Sequence, residues 1–157
     1  MSADAKLSAK LNELALELPP APKPKGVYRP LVVLGNLAYT SGHLPTTPDG
    51  SLVKGRVGAD LDAKAGHTAA VLVGLGILAT LREAFGTLDR VRRVVKVLGM
   101  VNCTPDFDQQ PAVLNGCSEL FAAVFGPEAG VGVRSAVGVA ALPLGVPVEI
   151  EAVFEVE

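Results

Sequence analysis

The feature that most constrains the fold is a two-residue alternation of apolar and acidic side chains near the C-terminus. The apolar positions are Val148, Ile150, Ala152, Phe154 and Val156, and the acidic ones are Glu149, Glu151, Glu155 and Glu157. Successive side chains of a strand point to opposite faces, so this pattern predicts a strand with one buried and one solvated face. Residues 133–143 predict a second strand, and the short connection 143–147 predicts that the two strands are antiparallel neighbours.

Arg134 is the one charged residue in the first of these two strands. It shares its face with Ala136, Gly138 and Ala140, whose small side chains leave space beside the guanidinium. A planar guanidinium suits a carboxylate or phosphate held by two parallel hydrogen bonds, which indicates a ligand pocket. A structural pairing with a carboxylate of the same sheet explains the residue types equally well.

Arg134 and Glu149 fall at opposite ends of the predicted strand pair, because Glu149 lies beside the turn and Arg134 far from it. At about 3.3 Å per residue, roughly 20 Å separates them within one chain. A pocket that contains both residues therefore has to lie between subunits, which is simplest in a closed symmetric homo-oligomer.

The rest of the chain predicts one domain of alternating helices and strands. Leucines at helical spacing indicate an amphipathic helix in residues 1–20, appended to a single domain that spans residues 21–157. The other predicted elements are strands 28–34 and 37–41, helix 60–85, strand 91–102 and helix 111–125. This order favours an α+β (two-layer α/β) fold in which two helices pack on one face of a single mixed sheet. The glycines of the long helix, Gly66, Gly74 and Gly76, indicate close packing against that sheet.

Composition argues against several classes of protein. The chain has 14 Lys plus Arg against 16 Asp plus Glu and only 4% aromatic residues, so no nucleic-acid partner is expected. Cys103 and Cys117 lack metal-site spacing, which predicts reduced thiols and no metal. With no recognisable leader and no apolar run judged long enough to cross a bilayer, we expect a cytoplasmic protein without membrane association.

Several motifs, taken in order, resemble the RidA family, also called the YjgF or L-PSP family. They are residues 39–45 (Tyr-Thr-Ser-Gly-His-Leu-Pro), 105–107 (Pro-Asp-Phe), Asn115, 134–137 (Arg-Ser-Ala-Val) and 148–152 (Val-Glu-Ile-Glu-Ala). The leading helix resembles a branch of the family with an extra N-terminal segment. The resemblance implies a chorismate-mutase-like fold assembled as a homotrimer with clefts between subunits. It also implies hydrolysis of 2-imino acids, such as those derived from 2-aminoacrylate, to 2-keto acids and ammonia, with no cofactor.

The resemblance also assigns roles to five residues. Arg134 is expected to bind the carboxylate of a small metabolite, and Glu149 to position or activate the attacking water. Tyr28, Ser41 and Asn115 are expected to line the pocket.

Three positions depart from the family pattern and keep other functions open. Arg29 is a possible accessory residue that alters the preferred ligand charge, and Ser118 replaces a tyrosine found in deaminating members. His43 replaces a glutamine; its imidazole is either an accessory acid or base, or a structural hydrogen-bonding group. The alternative function is a non-catalytic protein that binds or senses small carboxylates such as 2-keto acids. A third function, endoribonuclease or translation inhibitor, has little support from a chain with two histidines and a net negative charge.

Overall fold

A computed structural model describes all 157 residues, which form three α-helices and one five-stranded sheet. The helices are α1 (Ala3–Leu14), α2 (Ala63–Phe85) and α3 (Gln110–Phe125). The strands are β1 (Leu31–Leu34), β2 (Leu37–Thr40), β3 (Val91–Asn102), β4 (Val133–Val139) and β5 (Val148–Val156). Their order in the sheet is β1-β2-β5-β3-β4, with β3 and β4 parallel and the other neighbours antiparallel. The predicted α+β fold with one mixed sheet is confirmed.

The prediction that the last two strands pair with each other is wrong, because β3 lies between them. Strand β4 pairs with one edge of β3 and β5 with the other, so β4 and β5 run antiparallel without sharing hydrogen bonds. The connection 143–147 is short, yet it spans β3, with a single 3₁₀ turn at Pro143–Gly145. The antiparallel direction of these two strands was therefore predicted correctly, but their position side by side in the sheet was not.

Helices α2 and α3 cover one face of the sheet and approach each other closely through glycines. A Cβ at Gly74 of α2 would lie 2.9 Å from a methyl group of Leu120, and one at Gly116 of α3 would lie 2.2 Å from the carbonyl oxygen of His67. The prediction that the α2 glycines pack against the sheet is therefore wrong for Gly66 and Gly74, which face α3. Their role is to let two helix backbones come together.

Helix α2 corrects a second expectation, that no apolar run is long enough to cross a bilayer. An 18-residue window within Ala63–Phe85 has a mean hydropathy of 1.5, so by length and composition alone this helix is long and apolar enough to cross a membrane. Most of this window is buried inside the fold. Its apolarity is therefore accounted for by its packing against both α3 and the sheet.

Helix α1 packs on α3 and on the turn that precedes β3. The side chain of Leu7 is 1% exposed and belongs to the main core. The Asp4 carboxylate accepts hydrogen bonds from the Leu88 backbone N–H and the Thr87 hydroxyl, which ties the first turn of α1 to the domain. The helix ends at Leu14, before the end of the segment 1–20 in which it was predicted, because Ala15 adopts a left-handed conformation and its N–H caps the helix.

The second face of the sheet has no helix on it. Side chains that alternate to this side include Val32, Tyr39 and Val137, which are 47%, 39% and 41% exposed. Glu149 and Glu151 lie on the same face, since they pair with Met100 and Leu98. This helix-free face combines exposed apolar surface with acidic side chains.

Candidate functional site

Arg134 points from β4 toward α3, and neutral side chains hold one end of its guanidinium. Its Nη1 donates to Oδ1 of Asn115 at 2.9 Å and to Oγ of Ser118 at 3.1 Å. None of the six ion pairs in the chain includes Arg134. The alternative given above, that Arg134 pairs with a carboxylate of its own sheet, is therefore not observed within the chain. The Nε and Nη2 groups remain without a protein acceptor and are available to an anion.

A cavity of about 260 Å³ adjoins this guanidinium. Its apolar lining comes from Val94 and Val97 of β3, Phe121 of α3 and Val131 of the loop before β4. Gly130 and Gly132 let that loop approach closely, since a Cβ at Gly132 would lie 2.7 Å from backbone carbonyl oxygens of β3. The guanidinium thus sits at the wall of a partly apolar pocket.

Cys117 lies in the core near Arg134 and is fully buried. Burial raises the pKa of its thiol, and the positive charge of Arg134 offsets this only in part. A thiol that stays protonated is a poor nucleophile. Cys117 is therefore a packing residue beside the site.

Glu149 projects from the helix-free face of β5, at the turn that follows β2. Its carboxylate lies against Gly42, where a Cβ would come within 2.2 Å of Oε2. It has no hydrogen-bond or ion-pair partner in the chain. Partial burial raises the pKa of this carboxyl, and the negative charge of Glu151 raises it further. A carboxylate of raised pKa and without a partner is suited to accept a proton from water.

Of the other predicted residues, Ser41 lies in the same turn, whereas Tyr28 and Arg29 belong to the segment before β1. The Ser41 hydroxyl donates to the carbonyl of Arg29 at 2.5 Å, which fastens the segment before β1 beside the turn. Tyr28 is 50% exposed, and its hydroxyl accepts a hydrogen bond from the Lys25 backbone N–H at 3.3 Å. The Arg29 side chain is exposed.

His43 is 4% exposed and lies between β5 and α2. Its Nδ1 is 2.7 Å from the Ser41 carbonyl oxygen and its Nε2 is 2.8 Å from the Thr80 hydroxyl. Burial lowers the pKa of this imidazole. With both nitrogens engaged inside the fold, the ring has the surroundings of a structural residue, the second of the two interpretations given for it.

The structure thus has two groups of candidate residues, which it does not bring together. The arginine half-site consists of Arg134, Asn115 and Ser118, and the glutamate half-site of Glu149, Ser41 and Gly42. Arg134 pairs with Val97 and Glu149 with Met100, so the two residues point to opposite faces, three positions apart along β3. Three steps of about 3.3 Å and two strand spacings of about 4.8 Å place their Cα atoms about 14 Å apart, less than the roughly 20 Å expected.

Sequence reasoning did not assign two of these residues to the site. Ser118 was noted as a departure from a family pattern, but it follows Asn115 by three residues on α3 and therefore shares its face. That spacing was a usable signal. Gly42 has no such signal, because its importance comes only from the carboxylate packed against it.

Comparison with known proteins identifies the family. Residues 8–151 match the family model described as YjgF/chorismate mutase-like, putative endoribonuclease. The chain belongs to this family. It is 40% identical to protein TCP17 of Trypanosoma cruzi over 153 residues, which cover 98% of this chain and 96% of TCP17.

Solved structures of family members have the same fold. Atu1372 of Agrobacterium tumefaciens, a protein of unknown function, is 40% identical with a TM-score of 0.89, covering 98% of this chain and 94% of its own. RidA of Psychrobacter sp. PAMC 21119 is 32% identical with a TM-score of 0.61, covering 87% and 94%. Escherichia coli TdcF, solved with bound serine, is 25% identical with a TM-score of 0.58, covering 89% and 94%.

Proposed function

We propose that this protein is an imine deaminase that hydrolyses 2-imino acids to 2-keto acids and ammonia. The observation that carries the proposal is the Arg134 guanidinium, which Asn115 and Ser118 orient while its Nε and Nη2 groups have no acceptor in the chain. Such a guanidinium binds a 2-imino carboxylate through two parallel hydrogen bonds. The proposal places the reactive carbon of the substrate one bond from that carboxylate.

Glu149 supplies the second requirement, a base for water. Its raised pKa indicates a carboxylate that takes up a proton readily, and no cation of the chain neutralises it. As water adds to the iminium carbon, Glu149 accepts its proton and the C=N π electrons move to nitrogen. Glu149 then returns this proton to the nitrogen, and the C–N bond breaks to release ammonia. Glu149 takes the hydroxyl proton as the carbonyl forms and passes it to the ammonia, which leaves as ammonium. A protonated imine is electrophilic, so placement of one water contributes more than a strong nucleophile does.

We propose that the complete site forms between subunits of a homotrimer. Within one chain the two half-sites face opposite sides of the sheet, so Arg134 of one subunit and Glu149 of a neighbour are expected to share a cleft. The exposed Val32, Tyr39 and Val137 on the helix-free face support burial against another copy. We also place the protein in the cytoplasm, where its two free thiols are expected to stay reduced.

The test is to generate 2-aminoacrylate with a pyridoxal-phosphate enzyme and to measure the rate of keto-acid and ammonia release with and without this protein. The wild type is expected to accelerate release, whereas Arg134→Ala and Glu149→Gln are not. Lys10→Ala and Glu13→Gln are matched controls, because these residues form a surface ion pair with each other on α1, away from the helix-free face. No acceleration by the wild type, or full activity of Arg134→Ala, contradicts the proposal.

A second candidate is a non-catalytic protein that binds small carboxylates in the arginine half-site. TdcF was solved with bound serine, a small carboxylate, at 25% identity to this chain. Thermal stabilisation by 2-keto acids that depends on Arg134, without turnover of imines, favours this candidate.

Endoribonuclease activity, the third function, gains no support from the site. His43 is buried with both nitrogens engaged, and His67 pairs with Glu119 on the surface. Single-turnover cleavage of RNA by the purified protein would reverse this judgement.

A further inference from the structure

The buried hydrogen bonds of His43 define its tautomer. The Ser41 carbonyl, 2.7 Å from Nδ1, only accepts, so Nδ1 carries the hydrogen. In a neutral ring Nε2 is then the acceptor, and the Thr80 hydroxyl 2.8 Å away must donate to it. Thr80 is 3% exposed and belongs to α2, the central helix of the fold.

The His43 ring therefore links α2 to the turn that carries the glutamate half-site. The His43 backbone N–H also donates to the Ile150 carbonyl at 2.8 Å, and the His43 carbonyl accepts from the Ile150 N–H at 3.2 Å. Ile150 is the residue next to Glu149. Side-chain and backbone bonds of one residue thus hold the turn against α2 on one side and β5 on the other.

Gly42 lies between Ser41 and His43, which these hydrogen bonds hold in place. The Glu149 carboxylate packs directly against Gly42. A Cβ at Gly42 would lie 2.2 Å from Oε2 and 2.8 Å from Cδ of Glu149. The carboxylate position therefore depends on where the Gly42 backbone lies. The position of that backbone depends in turn on its neighbours in the turn.

We propose that the His43–Thr80 pair is a positioning device that fixes the turn at Gly42 and thereby aims the Glu149 carboxylate at the attacking water. The proposal rests on the proposed deaminase function, in which Glu149 acts in the chemical step and Arg134 in binding. Loss of the pair should therefore slow the chemical step and leave substrate binding unchanged.

Thr80→Val removes the hydroxyl and keeps the shape of the side chain. We expect its kcat to fall about tenfold and its KM to stay within about twofold of the wild type. Thr80→Ser keeps the hydroxyl and should restore kcat. Thr68→Val is the matched control, because the Thr68 hydroxyl bonds only to the Lys64 carbonyl of the same helix. An unchanged kcat in Thr80→Val, or a change confined to KM, overturns the proposal.

Amide hydrogen exchange separates this proposal from the deaminase proposal, because it needs no activity. The His43 amide, bonded to the Ile150 carbonyl, should exchange about tenfold faster in Thr80→Val than in the wild type and in Thr68→Val. If the wild type hydrolyses no imine, the deaminase proposal fails and the exchange rate still tests the turn. Equal exchange rates in the wild type and Thr80→Val overturn the positioning role.

Discussion

Asn115→Ala tests how the chain prepares Arg134 for a carboxylate. Nη1 of Arg134 has two protein acceptors, Asn115 at 2.9 Å and Ser118 at 3.1 Å. A hydrogen bond to a charged group contributes about 1.5–3 kcal/mol, and partial exposure of this guanidinium favours the lower end. A loss of about 1.5 kcal/mol corresponds to about a tenfold weaker binding of the substrate carboxylate.

The assay measures keto-acid release at increasing imine concentration, and in parallel the thermal shift produced by a 2-keto acid. We expect KM to rise about tenfold in Asn115→Ala with kcat nearly unchanged, because Arg134 binds and Glu149 acts on water. Ser118→Ala should act in the same direction. The double variant should lose less than the sum of the two, since both acceptors bind the same terminal NH2 group of the guanidinium. An unchanged KM in Asn115→Ala, with folding intact, refutes the role assigned to this side chain.

Four further predictions concern packing and pH. In chemical denaturation, Gly116→Ala should lower the free energy of unfolding by about 1–3 kcal/mol, because its Cβ would lie 2.2 Å from a carbonyl oxygen of α2. Gly76→Ala is the control and should be neutral or stabilising, because the nearest atom to its Cβ, in Pro22, would be 3.7 Å away. Leu7→Ala should cost about 2–5 kcal/mol in the same measurement; no cost would show that α1 is dispensable to the core. The kcat should fall on acidification with a midpoint above about 4.3, the ordinary pKa of glutamate, because burial raises the pKa of Glu149; a midpoint at or below that value contradicts this assignment. Burial lowers the pKa of His43, so below about pH 6.5 the unfolded state binds more protons than the folded state does. The melting temperature of the wild type should therefore fall as the pH is lowered through this range. That of His43→Gln should fall less.

Local patterns predicted the elements well where one physical signal dominated. The strand Val91–Asn102 was predicted with its observed bounds, because a continuous apolar run between neighbours is the expected pattern of a central strand. Helix α2 begins at Ala63, where Asp62 caps it, close to the predicted start at residue 60, and it ends at the predicted residue 85, before Gly86. The alternation in β4 also placed Arg134 correctly on the face of its small neighbours.

The errors arose where the outcome depends on contacts distant in sequence. No local signal shows that β3 lies between β4 and β5, since the short turn fits both arrangements. The glycines of α2 indicated close packing, but only the tertiary structure shows that the partner is α3. In the candidate site, the sequence motifs led to the proposal of Arg134 and Glu149, whereas the packing of Glu149 on Gly42 depends on a turn whose position the sequence alone does not define.

The central claim, that Arg134 and Glu149 act together from different subunits, is tested most directly by mixing two inactive variants. Arg134→Ala and Glu149→Gln are co-expressed with different tags, trimers that contain both are isolated, and imine hydrolysis is measured. If the residues come from neighbouring subunits, every mixed trimer keeps one of its three sites with both residues intact, and about a third of wild-type activity returns. If both residues act from the same subunit, or if the protein has no intersubunit site, the mixed trimers stay as inactive as the two parents.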